Sequence, residues 1–271
     1  MHKIFWVGLR KIIARGVFYT IKIECYKIIY DKKYNRSKLN KIVIFIIKVI
    51  AKSTKLKQPK FILKTLEIDN SSFSQLSQDI FVLEILIYKT GGFFIEIGAG
   101  DGMHLSNTYL LEKHFNWNGI LIEPNKSFYN MCRSSRRCKI INRILLDSNL
   151  TKIKFYEKIN GEFSHSEGYG NVLASEIKEM YEIESIKFDE IFDDLLNIPK
   201  IDFLSIDTEG SEVEILRSID FSIYKPKIIC IEHNFNKKNR LFFKKHLTSK
   251  GYKLTYPGIS RWDSWFVEKS I

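Results

Sequence analysis

From Phe93 onward the chain alternates short apolar runs with stretches of helical period, the pattern of an α/β sheet. Phe93–Ile97, Gly119–Glu123, Ile140–Leu145, Ile201–Ile206 and Lys227–Glu232 read as strands. Ser106–His114, Ser127–Arg133, Glu212–Arg217 and Leu241–Ser249 read as the helices between or after them. Tyr252–Tyr256 and Trp265–Val267 would close the chain as a hairpin. Ahead of the first strand, Ile80, Val82, Leu83, Leu86 and Ile87 give Gln78–Thr90 a helical period, and Gly91-Gly92 supplies its stop. Thr151–Pro199 forms a long insert with one further strand, Lys152–Glu157, and a Gly/Ser/His-rich loop, 161–170. A loop of that length inside a compact domain is usually functional or mobile.

The first 55 residues are both greasy and basic, with Ile4, Phe5, Trp6, Val7 and Leu9 running into Arg10 and Lys11, and Ile42–Ile50 interrupted by Lys48. A spanning helix needs about 20 apolar residues, and no run here approaches that. No small-residue cleavage site follows an apolar core. Two readings stay open: helices packed on the following domain, or a helix lying in an anionic membrane surface with Phe5 and Trp6 inserted. The chain divides into a basic helical extension, 1–60, a linker and approach helix, 61–92, and the α/β domain, 93–271.

The formal charge of +12 suggests a nucleic-acid binder until it is located. Residues 1–60 hold 16 Lys/Arg against Glu24 and Asp31, whereas 61–271 hold 27 against 29 acids. The excess belongs to the extension, so no basic face tracking phosphates is expected in the fold, and no nucleic-acid partner. Cys25, Cys132, Cys138 and Cys230 are scattered without C-x-x-C spacing, which argues against a disulfide framework or zinc site and for reduced thiols in the cytoplasm.

The strongest chemical signal is Glu96-Ile97-Gly98-Ala99-Gly100-Asp101-Gly102, placed between a strand and a helix. Glycines at alternate positions let a ligand press on backbone where a Cβ would collide. Glu96 at the strand end can hold a ligand amine, and Glu123, closing the next strand, can take two ribose hydroxyls. The spacing G-x-G-x-G, rather than G-x-G-x-x-G, favours S-adenosylmethionine over a pyrophosphate cofactor.

These segments resemble the FkbM family of methyltransferases: IEIGAGDG (95–102), LSNTYLLEK (105–113), WNGILIEP (117–124), IDFLSIDTEGSEVEIL (201–216), IEHN (231–234) and WDSWF (262–266). The resemblance covers about two thirds of the chain and leaves 1–60 unexplained. It implies a Rossmann-like, seven-stranded class I methyltransferase sheet, S-adenosylmethionine over the strand ends, and methyl transfer to oxygen of a sugar or natural product. Carried over by position, Glu96, Gly98, Gly100 and Gly102 form the methionine side of the site and Glu123 the ribose side. Ser106 and Asn107 meet the cofactor carboxylate or simply cap the next helix. Asp147 faces the adenine edge, with Ile144 or Leu145 packing the ring.

Asp207 and Glu209 follow the fourth strand, and Glu232, His233 and Asn234 close the fifth, so they face one crevice. Methylating an alcohol needs a base or a metal that acidifies the hydroxyl. Asp207 with His233 would supply the base; Asp207 with Glu232 and Asn234 would instead hold Mg2+. Ser211 with Glu214 reads as a capping box, with Glu212 supporting the same turn. The expected function is O-methylation of a carbohydrate or glycolipid hydroxyl in surface-glycan or lipopolysaccharide assembly, peripheral on the inner face of the cytoplasmic membrane. A lipid-like or polyketide acceptor, an RNA-binding methyltransferase homologue using 1–60 as an arm, and a degenerate binding module are the alternatives.

Overall fold

In a computed structural model, residues 72–147, 152–169, 174–257 and 260–271 are described, and Phe73–Ile271 forms one compact unit. The extension 1–60, the first part of the linker (61–71) and Gly170 at the end of the insert loop lie outside the described residues.

Seven strands make the main sheet in the order β10-β11-β9-β8-β1-β2-β3. They are β1 (Phe93–Ile97), β2 (Asn118–Ile122), β3 (Lys139–Ile141), β8 (Phe203–Ile206), β9 (Ile228–Glu232), β10 (Tyr252–Thr255) and β11 (Asp263–Glu268). Strands β3, β2, β1, β8 and β9 run parallel, and β11 and β10 close the edge as an antiparallel pair. The order reverses between β1 and β8, so connections leave the sheet in opposite directions there and open a crevice at the strand ends. This is the expected Rossmann-like seven-stranded arrangement. The central strands are apolar on both faces because helices cover both. Ile95, Ile97, Leu204, Ile206, Ile229 and Ile231 share one core cluster.

Helix α1 (Gln78–Ile85) is shorter than its apolar period. Ile87 and Tyr88 both take positive φ, which ends the helix before the two glycines. Its Phe81 ring stacks on Trp265 of β11 at 4.8 Å. Helix α2 (Tyr109–Phe115) begins three residues later than the sequence suggested, because Ser106, Asn107 and Thr108 turn back onto Glu96. Helices α3 (Lys126–Ser135), α4 (Glu212–Ser218) and α5 (Lys237–Ser249) complete the layers. No helix among the described residues is long and apolar enough to cross a membrane.

The insert departs most from expectation. The run Ile140–Leu145 is two strands: β3 stays in the main sheet, while β4 (Ile144–Leu145) pairs with β7 (Ile177–Ile186). Asn142 causes the break by turning its amide onto the carbonyls of Glu123 and Pro124, at 2.8 and 3.0 Å. Strands β4, β7, β5 (Lys152–Lys158) and β6 (His165–Ser166) then form a second sheet. Ile144, Leu146, Ile153, Phe155 and Ile183 pack its inner face.

Candidate active site

A cleft of about 370 Å³ lies over the ends of β1, β2, β8 and β9. One side is built by the glycine loop. Gly98 takes φ +81°, and a Cβ there would sit 1.7 Å from the Asp207 carbonyl oxygen, so only glycine lets the β1 loop rest on the end of β8. Gly100 takes φ +57°, and a Cβ would meet no protein atom within 4 Å, which leaves open space where the loop lines the cleft.

Glu123 is buried beside that loop. Its two carboxylate oxygens accept from the backbone N–H groups of Gly100 (2.7 Å) and Asn125 (2.8 Å). Burial outweighs those donors and pushes its pKa up to about 8. A carboxylate has about four acceptor positions. Ionised, it has acceptor positions beyond these bonds to offer ligand hydroxyls.

Glu96 lines the cleft, with its carboxylate engaged by neighbours. It accepts from Ser106 Oγ (3.0 Å), the Asn107 N–H (2.7 Å) and Thr108 Oγ1 (2.6 Å), with Arg136 at 3.8 Å. Burial raises its pKa against those partners. Ser106 also accepts from the Tyr109 N–H, so it caps α2 while lining the cleft. The Asn107 amide donates to Ser205 Oγ, and its side-chain carbonyl oxygen is buried without a partner among the described residues. Gly102 does not line the cleft; a Cβ there would meet Cys132 Sγ at 2.8 Å, so this glycine serves the packing of α3. Asp147 is exposed and outside the cleft lining, whereas Ile144 and Leu145 line it.

At the other side Asp207, Glu209 and Glu232 converge, with ligand oxygens of all three within 4.8 Å of one another. The Asp207 and Glu232 carboxyls stand side by side at the ends of β8 and β9. Burial and mutual repulsion raise both carboxyls above the ordinary carboxylate range. Glu209 is held at φ +57° and Asn234 at +42°, positions a side chain takes only under constraint.

His233 is not with them. It is buried outside the cleft lining, its Nδ1 accepting from the Phe235 N–H at 3.1 Å, and burial with Arg240 lowers its pKa. Alternation along the strand end explains this: Glu232 takes the cleft side, and its neighbour turns away. The capping box does not form either. Ser211 bonds Thr208 Oγ1, and it is Glu212 that accepts from the Thr208 and Gly210 N–H groups.

Several lining residues were singled out by no motif in the sequence. Gln75 falls in the linker and Gln78 opens the approach helix; Gln75 accepts from Trp262 Nε1 (3.0 Å) and Gln78 donates to Asp263 (2.8 Å). Phe155, Phe163, His165 and Ser166 come from the insert. The one hint was the Gly/Ser/His-rich loop 161–170, which carries Phe163, His165 and Ser166.

The residues fit S-adenosylmethionine. The unpaired Asn107 carbonyl suits an ammonium, the open positions of Glu123 suit ribose hydroxyls, and Ile144, Leu145 and Phe155 offer an apolar corner for a purine.

No curated protein matches the chain by sequence. Solved structures similar to it include a methyltransferase FkbM from Methylobacillus flagellatus, at 14% identity and TM-score 0.45, covering 84% of this chain and 60% of that one. A methyltransferase from Pyrococcus furiosus matches at 14% identity and TM-score 0.38, over 73% and 84% of the two chains. A precorrin-6y C5,15-methyltransferase from Geobacter metallireducens matches at 14% and 0.38, over 65% and 72%. The chain thus spans about 60% of the length of the Methylobacillus protein. A family model, the methyltransferase FkbM domain, matches residues 96–262, more than half of the sequence: the chain belongs to the FkbM methyltransferase family.

Proposed function

We propose that this protein transfers a methyl group from S-adenosylmethionine to a hydroxyl oxygen of a carbohydrate, on a glycan or glycolipid of the cell surface. The observation that carries the oxygen acceptor is the convergence of the Asp207 and Glu232 carboxyls in the cleft lining. The cofactor supplies a methyl carbon bonded to a positively charged sulfur. A neutral hydroxyl attacks such a carbon poorly unless its proton is taken as the C–O bond forms and the C–S bond breaks, the neutral thioether being the leaving group. The carboxyl pair takes that proton, and a carboxylate whose basicity is raised by its neighbour does so better than an ordinary one. Glu123 and Asn107 orient the cofactor, and Gly98 and Gly100 keep side chains out of its way. Phe235 and Trp262, with Gln75 and Gln78, give the acceptor side an aromatic wall edged with amides. That combination suits a ring with C–H faces and hydroxyl edges.

The hard oxygen donors of Asp207, Glu209 and Glu232 also fit a divalent cation such as Mg2+, which would acidify the hydroxyl instead. We assign the acceptor to a lipid carrier at the inner face of the cytoplasmic membrane, with the basic, apolar residues 1–60 against anionic headgroups. The exposed Phe163 and Phe235 at the cleft favour a lipid-like natural product as the second reading.

The test is transfer of label from methyl-tritiated S-adenosylmethionine to lipid-linked glycans, free glycans, polyketides and RNA. Base-stable label in the glycan fractions, lost in Asp207→Asn, supports the proposal. Label only in polyketide or RNA overturns it. Turnover that EDTA leaves intact removes the cation and keeps the carboxyl base.

A further inference from the structure

The near-neutral balance of the folded part conceals a segregated charge. Between His233 and Trp262 stand eight Lys/Arg and no acid, while the rest of 73–271 carries 27 acids against 18 Lys/Arg. Most of this charge falls on α5. Lys237, Lys238, Arg240, Lys244 and Lys245 are all exposed, and none makes an ion pair among the described residues. At 100° per residue the helix buries the arc holding Phe243 and Leu247. The opposite arc is centred on Leu241, with Lys237, Lys244 and Lys245 within about 60° of it on either side. Leu241 is 67% exposed, and Phe235, just before the helix, is 63% exposed.

A solvated basic face explains the lysines but not an isoleucine-sized apolar side chain at their centre. Lysines that flank an exposed leucine can lay their methylene stems beside it and keep their ammonium groups on phosphate. Basic charge with protruding Leu and Phe is the composition of an interfacial helix. The Phe235 side chain also lines the cleft, so the face adjoins the mouth of the acceptor side.

We propose that the outward face of α5, together with Phe235, is a docking surface for an anionic lipid bilayer. It shares the membrane with the reading given above for residues 1–60, but not the element, and it places the cleft mouth beside the lipid. The charge arm of the contact is sensitive to salt, because exposed charges are screened over about 8 Å at physiological ionic strength.

The experiment reads the helix directly. Full-length protein with Cys25→Ser and Leu241→Cys carries an environment-sensitive fluorophore at 241, the other three cysteines being buried. Vesicles of phosphatidylglycerol and phosphatidylcholine should shift its emission to the blue, and phosphatidylcholine alone should not. The same label at Glu179→Cys, exposed on the second sheet, should stay silent. Lys237→Glu, Lys244→Glu and Lys245→Glu together should raise the lipid needed at least tenfold, each lost cation being worth about fivefold. Unchanged affinity for S-adenosylhomocysteine would show that this variant is folded. A silent probe on protein that still co-sediments with anionic vesicles overturns the α5 surface and leaves the N-terminal attachment standing. A probe that answers an RNA oligonucleotide as strongly as vesicles overturns the lipid assignment.

Discussion

Replacing Asp207 by Asn tests the carboxyl pair without knowledge of the acceptor. The folded protein holds at least one proton between Asp207 and Glu232 at neutral pH, since burial and repulsion raise both groups. The unfolded chain, with carboxyls near pKa 4, holds none above about pH 5. Folding therefore takes up a proton, and this part of the stability falls as pH rises from 5 through 8. Each proton contributes a slope of about 1.4 kcal/mol per pH unit. Asn keeps the size and polarity of the side chain beside Glu232 but removes one of the two acids and so one bound proton. The variant should gain on the wild type by up to about 2.7 kcal/mol between pH 6 and pH 8, water in the open cleft reducing the figure. Urea unfolding at pH 6, 7 and 8, followed by the fluorescence of the buried Trp117 and Trp265, measures it. Parallel profiles for the two proteins would mean that the pair holds no extra proton, and the reasoning about the base would fail with it.

Arg136 is buried and donates to Glu112 (2.6 Å), Thr108 Oγ1 (2.8 Å), the Gly102 carbonyl (2.9 Å) and Ser106 Oγ (3.2 Å). Arg136→Met should cost about 3–5 kcal/mol in urea unfolding, because Glu112 and Glu96 lose their buried counter-charge. Arg137→Met, exposed in its side chain, should cost under about 1 kcal/mol. Gly98→Ala should unfold the protein at lower urea, because its Cβ meets the Asp207 carbonyl. Gly100→Ala should fold with only about 1 kcal/mol lost to its positive φ, yet bind S-adenosylhomocysteine more weakly, as calorimetry can show.

The parallel strands were legible because each is a continuous apolar run bounded by polar or glycine-rich residues, as in FFIEI and FLSI. Strand β7 was not: Ile177–Ile186 is rich in Glu and Lys, since one face of the second sheet meets water. The break of Ile140–Leu145 turns on Asn142, whose two carbonyl partners lie 18 and 19 residues away in sequence, beyond any local period. The glycine loop and Glu123 could be placed because strand, turn and helix dictate where they stand. His233 could not, because one residue of strand alternation decides between cleft and core. The basic face of α5 escaped a count of net charge because acids elsewhere in the domain cancel it.

The measurement that bears most directly on the account is calorimetric titration of S-adenosylhomocysteine into the full-length protein and into Glu123→Ala. Micromolar binding is expected, about −8 kcal/mol. Removing the carboxylate should weaken it by about 1–3 kcal/mol, since ribose hydroxyls lose their acceptor. Absence of binding to the wild type, or equal affinity in the two proteins, would contradict the cofactor cleft as assigned.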